Sequence, residues 1–200
     1  MNIALSERKI GAGGPGEGYE AGLPVFECWV FRHLGFPLIA RALGHRAAGG
    51  LFSREGQRIL YLAQDLTEED LERRVLVSRP LGIEESACNW SVEMLMEHLI
   101  LVGVHIREAV RQLGNGVRPL RKFQRSEFEP RGGRGLRTRE EYGRFIERFT
   151  ALYETHCNIP SRPTHRHPYF GELDAGHWLK LAAVLYKLHR NHAERILAGL

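Results

Sequence analysis

The chain has 200 residues, 43% of them hydrophobic and 26% charged, with a net charge of +4. That is the balance of one ordinary globular domain with enough chain for a substantial core. Cys28, Cys88 and Cys157 lie far apart without a Cys-x-x-Cys pair, which argues against a disulfide framework or a cysteine zinc site and fits a reducing, cytoplasmic setting. The apolar stretch 23–51 is interrupted by Arg32, His33, Pro37, Arg41 and Arg46, so neither a membrane span nor a membrane partner is expected.

Residues 1–22 carry glycines at 11, 13, 14, 16, 18 and 22 and read as a flexible leader. The run Gly11 to Gly18 lacks the Lys-Ser/Thr that a phosphate loop needs. Residues 23–50 read as an N-terminal helical extension, one helix or a pair broken near Gly35-Phe36-Pro37, packed on the main core rather than on a membrane surface. The principal unit is expected over 51–200. Within it Ser53 offers an N-cap for a helix to about Leu66, with Ile59, Leu62, Ala63 and Leu66 on one face.

A second long helix is expected over 91–113, ended by Gly114-Asn115-Gly116, with Val92, Leu95, Leu99, Val102, Ile106 and Leu113 as its stripe. His98 and His105 sit at the edge of that stripe, two turns or about 10.5 Å apart along the axis, too far to share one ion. Residues 117–137, rich in Arg, Gly and Pro, read as a long, basic, mobile loop. Thr138 then caps a helix to about Cys157 with Tyr142, Phe145, Ile146, Phe149 and Leu152 inward.

Asp174 caps the last helix, 174–198, where Trp178, Leu181, Leu185, Leu188 and His192 recur at alternating intervals of three and four. His189 lies beside that seam. Histidines three apart on a helix have Cβ atoms about 5–6 Å apart and can converge on one ion, the third ligand coming from another helix. A lone histidine on an apolar stripe is more often a hydrogen-bonded core residue, so this pattern alone does not decide. With almost no alternating strand pattern, the class is all-α.

Asn89-Trp90-Ser91 opens the helix that carries Glu97-His98-Leu99, and His167-Pro-Tyr-Phe-Gly171 precedes His177-Trp178. In these motifs residues 51–200 resemble the DinB/YfiT-like superfamily, and within it the DUF1569-type proteins. The resemblance implies an up-down-down-up four-helix bundle, homodimeric through bundle faces. It implies a divalent transition metal, nickel, zinc, iron or manganese, held by a histidine of the second helix and a pair in the last. The matching residues are His98, His189 and His192, the pair standing three apart instead of the family's four. Glu93, Glu97 and Glu194 are the sequence-near acceptors for those imidazoles, and His167 and His177 are candidates for substrate contact. The implied activity is transfer to a thiol or hydrolysis of a small molecule, since three histidines leave one coordination position where water or a thiolate loses its proton.

The competing reading is a metal-free helical bundle that binds a partner. Arg118, Arg121, Lys122, Arg125, Arg131, Arg134, Arg137 and Arg139, interleaved with Phe123 and Phe128, offer cations for phosphates and rings for bases, or a surface for an acidic partner. A net charge of only +4 argues against nucleic acid.

Overall fold

The structure is a computed structural model that describes residues 22–120, 124–156 and 162–200. These residues are mostly helical. In chain order they form α1 (Val25–Val30), a π-helical turn (Phe31–Gly35), α2 (Phe36–Ala42), α3 (His45–Leu62), α4 (Glu68–Glu72), α5 (Val92–Gly114), α6 (Leu136–His156), a hairpin of β1 (His165–His167) and β2 (Gly171–Leu173), and α7 (Ala175–Leu197). Two 3-10 turns, Glu85–Asn89 and Arg125–Phe128, flank α5 in sequence.

Side-chain caps start three helices where the sequence places Ser, Thr and Asp. The Thr67 hydroxyl accepts from the Asp70 N–H, Ser91 Oγ from Met94, and Asp174 Oδ1 from His177, each satisfying one of the donors a helix start leaves open. Thr138 behaves otherwise. Helix α6 begins two residues before it, and its hydroxyl donates instead to Glu93 Oε1 at 2.9 Å. Ser53 is likewise no N-cap, because α3 already starts at His45 and runs through the expected boundary at 50/51. Gly49 and Gly50 hide that start, yet Gly49 is there for packing: a Cβ on it would meet the Tyr153 side chain at 3.1–3.3 Å.

The four long helices pack pairwise, each on two of the others. Gly49 meets Tyr153 and Gly56 meets Ile146, so α3 and α6 run antiparallel. Glu93 meets Thr138 and Gly103 meets Phe145, so α5 and α6 run parallel. Leu99 accepts from the Tyr186 hydroxyl at 3.0 Å and His105 lies on Trp178, which makes α5 and α7 antiparallel. His45 abuts Gly176 and Glu55 pairs with Arg190, which makes α3 and α7 parallel. Phe52 sits at the centre, its ring 4.5 Å from Phe149 and 4.4 Å from Tyr186. A fully buried Phe contributes about 1.5–3 kcal/mol by its removal from water.

The N-terminal segment covers one end of this assembly. The π-helical turn bonds i to i+5, which puts residues five apart on one side, and Phe31 and Phe36 both reach Phe170 of the hairpin. Lys180 donates to the Ala40 carbonyl at 2.5 Å and Arg32 to that of Pro168. The expected leader, 1–22, lies outside the described residues except for Gly22, as do Cys157 and the stretch 121–123. The hairpin is a small addition to a mostly helical fold, and its three-residue strands are too short to show alternation.

Candidate functional site

Helices α5 and α7 bring the three expected ligands into one neighbourhood. The His98 and His189 rings lie 5.1 Å apart between centroids, and Trp90 packs on both His98, at 4.9 Å, and His192, at 6.1 Å. His189 and His192 are buried and His98 is half-buried. All three imidazoles have their pKa depressed, by burial first and by the neighbouring imidazole next. His98 falls to about 4, and His189 and His192 to about 3. They are neutral at pH 7, the form that coordinates metal.

Two of the rings are oriented by backbone carbonyls. His98 Nδ1 lies 2.7 Å from the Phe128 carbonyl, and His189 Nδ1 lies 2.8 Å from the Leu185 carbonyl. A carbonyl only accepts, so each Nδ1 carries the proton and each Nε2 keeps a bare lone pair. Neither nitrogen of the buried His192 has a hydrogen-bond partner. An unsatisfied buried polar group costs roughly 1–3 kcal/mol, so this ring calls for a partner. Among the described residues, however, no group of three or more His, Cys, Asp or Glu side chains is arranged to hold a metal ion. The histidines are gathered without converging on one point.

The expected acceptors serve elsewhere. Glu97 Oε2 accepts from the backbone N–H groups of Arg131 and Gly132, both at 2.8 Å. The buried Glu93 accepts from those of Gly133 at 2.9 Å and Arg134 at 2.6 Å. Gly132 and Gly133 hold φ of 73° and 79°, a left-handed backbone that turns successive N–H groups inward as a nest for carboxylates. Glu194 pairs with Arg190. The described part of the basic loop is therefore tied down, not mobile. Arg118, Arg125 and Arg134 pair with Glu172, Glu84 and Glu141, Arg139 donates to carbonyls at the end of α3, and Phe128 is buried. Arg121, Lys122 and Phe123 lie outside the described residues.

His167 and His177 stand apart from the trio. His167 ends β1 and His177 lies in the first turn of α7, and His177 precedes His189 by twelve residues, about 18 Å of helix. His177 Nδ1 bonds Asp174 Oδ1 at 2.8 Å as part of the helix start. His167 Nδ1 accepts from the Tyr169 N–H at 3.1 Å inside the hairpin turn. With His105 and His165 it surrounds Trp178, whose ring lies 5.4–5.9 Å from all three. Sequence reading missed this second cluster because its members sit on three elements. It missed Trp90 as the wall between His98 and His192, and missed the two carbonyls, which no side-chain pattern announces.

A groove of about 500 Å³ opens elsewhere, between α3 and α6, lined by His45, Arg46, Ser53, Thr150, Tyr153 and Glu154. Compared with family models, curated proteins and solved structures, the chain finds no match.

Proposed function

We propose that the chain is a divalent-metal-binding protein of the DinB-like kind, an up-down-down-up four-helix bundle of α3, α5, α6 and α7 whose metal ligands are His98, His189 and His192. The pairwise directions of the helices support the bundle topology. The observation that carries the metal reading is His192, a buried imidazole without a partner beside two others whose Nδ1 protons are already committed to carbonyls. Two imidazoles on one tetrahedral ion, with nitrogens about 2.0–2.1 Å from it, place their ring centroids roughly 5 Å apart. The His98–His189 distance of 5.1 Å matches that spacing, and His192 would be the third ligand.

A bound divalent ion would supply a Lewis acid that lowers the pKa of water or a thiol. The protein's own residues do the rest. The Phe128 and Leu185 carbonyls hold the Nε2 atoms of His98 and His189 free, and Trp90 shields the site from water. The substrate class proposed is a small molecule, with a thiol as co-substrate for transfer or water for hydrolysis.

The test is metal content by elemental mass spectrometry of protein purified without an affinity tag, for the native chain and for His98→Ala and His192→Ala. Near-stoichiometric transition metal, lost in both variants, is expected. Absence of metal after incubation with nickel, zinc, manganese and ferrous iron would overturn the reading. A metal-free bundle that binds a partner is the second reading, favoured by the failure of the three rings to converge as placed; it requires His192 to be replaceable without loss of ligand.

A further inference from the structure

The N-terminal segment is apolar on two faces, and among the described residues only one of them is covered. Phe31, Phe36, Ala40 and Leu43 face the core. On the other side Val25 is 86% exposed, Phe26 74%, Leu38 63% and Trp29 53%, with Leu34 and Ile39 beside them. Leu81 extends the patch from the adjoining loop, where the Gly82 N–H donates to Glu27. A helix apolar all round is ordinarily covered all round, and a contiguous exposed patch rimmed by polar groups marks an interaction surface.

The charges identify what covers it. Residues 24–47 contain one carboxylate, Glu27, and it is clamped by the Arg79 guanidinium and the Gly82 N–H. Arg41 and Arg46 are exposed at one end, and the exposed His33 stacks against Trp29 at 5.5 Å. Residues 24–47 are thus apolar with cationic residues and no carboxylate left free. A second copy presenting the same residues 24–47 would bring these arginines no free carboxylate, whereas a bilayer with anionic headgroups supplies both the apolar interior and the counter-charge. Trp, Phe, Leu and Ile beside Arg is the composition of a helix that lies in the headgroup region, and no helix among the described residues is long and apolar enough to cross a membrane.

We propose that the outer face of α1, the π-helical turn and α2 docks flat on an anionic lipid surface, with Phe26, Trp29 and Leu38 entering the interface and Arg41 and Arg46 meeting the headgroups. The face is independent of the histidine site.

The test is flotation of the full chain with vesicles of phosphatidylcholine containing phosphatidylglycerol, and with phosphatidylcholine alone. The native chain should float with the anionic vesicles, less so at high salt, and Trp29 emission should shift to the blue. A Phe26→Ser, Trp29→Ser, Leu38→Ser variant, altered only at exposed positions, should keep its Tm and lose binding at least tenfold. Equal binding to neutral vesicles, or retained binding by the variant, would overturn the proposal. So would a native chain that ignores vesicles but forms a dimer, by light scattering, which the variant breaks into monomers, since that assigns the face to a second copy.

Discussion

His192 concentrates the cost of building this interior. It is fully buried, neither of its nitrogens is paired, and its pKa is pushed down by burial and by His189 to about 3. Burial likewise depresses the pKa of His98, His189 and His167, to about 4, 3 and 3. In the unfolded chain each returns to about 6.5. Above that value both states are neutral and these groups contribute no pH dependence. Below it the unfolded state takes up protons that the folded state refuses, so stability falls as pH drops from about 6.5 toward 4, by up to about 1.4 kcal/mol per pH unit for each histidine. Carboxylates act lower: Asp174 and Glu108, both depressed by their partners, lose their contribution only below the ordinary carboxylate range. Urea unfolding of metal-free protein at pH 7.5 and 5.0 checks this. The midpoint should be clearly lower at pH 5.0, and His192→Leu, which takes no proton in either state, should flatten the slope by about one proton. Equal stabilities at the two pH values would mean that the imidazoles are not held neutral.

At the scale of elements, glycine in a helix has two opposite meanings here. Gly50 lies exposed in α3 with nothing within 4 Å of where a Cβ would stand. Gly103 lies buried in α5, where a Cβ would collide with the Phe145 ring and stand 3.3 Å from Tyr186 Oη. Alanine improves an exposed helix interior by about 0.5–1 kcal/mol, while overpacking costs about 1–3 kcal/mol. Gly50→Ala should therefore raise the urea midpoint and Gly103→Ala should lower it; shifts of the same sign would refute the close approach of α5 to α6. The same contrast explains what was legible beforehand. Helices α5 and α7 announced themselves, because Ser91 and Asp174 cap them and their stripes run unbroken. Sequence reading places the start of α3 at Ser53 instead of His45, past Gly49, which together with Gly56 admits Tyr153 and Ile146. Of the candidate site, spacing could name His189 and His192 and the family resemblance His98, but the oxygens that orient two of them are main-chain atoms invisible to side-chain pattern. The nest around Glu93 and Glu97 read as a mobile loop because four of the groups that order it are backbone N–H groups.

For the molecule as a whole, the question is whether the first fifty residues are an appendage. The contacts of the described residues 22–50 say otherwise. Ala48 and Gly49 are buried in the first turns of α3, and Gly49 seats the Tyr153 ring, whose hydroxyl donates to the Leu179 carbonyl at 2.6 Å. That chain of contacts joins α3, α6 and α7 at one end. Phe36 and Ala40 are also buried, and Phe36 covers Phe170. A chain starting at Leu51 would shorten α3 to twelve residues, near the length at which isolated helices are marginal, and would bare the Tyr153 and Phe170 rings together. It should lose cooperative unfolding and near-ultraviolet dichroism. A chain starting at Gly44 keeps α3 whole and loses only the α1–α2 cover, so it should unfold cooperatively with a lowered midpoint. If the chain from Leu51 instead melted with the midpoint of the full chain, α3 would contribute nothing before residue 51, and the first fifty residues would be an extension laid on a complete domain. The buried positions of Ala48 and Gly49 argue for the opposite result: the structural unit begins at His45, inside what the sequence presents as an extension.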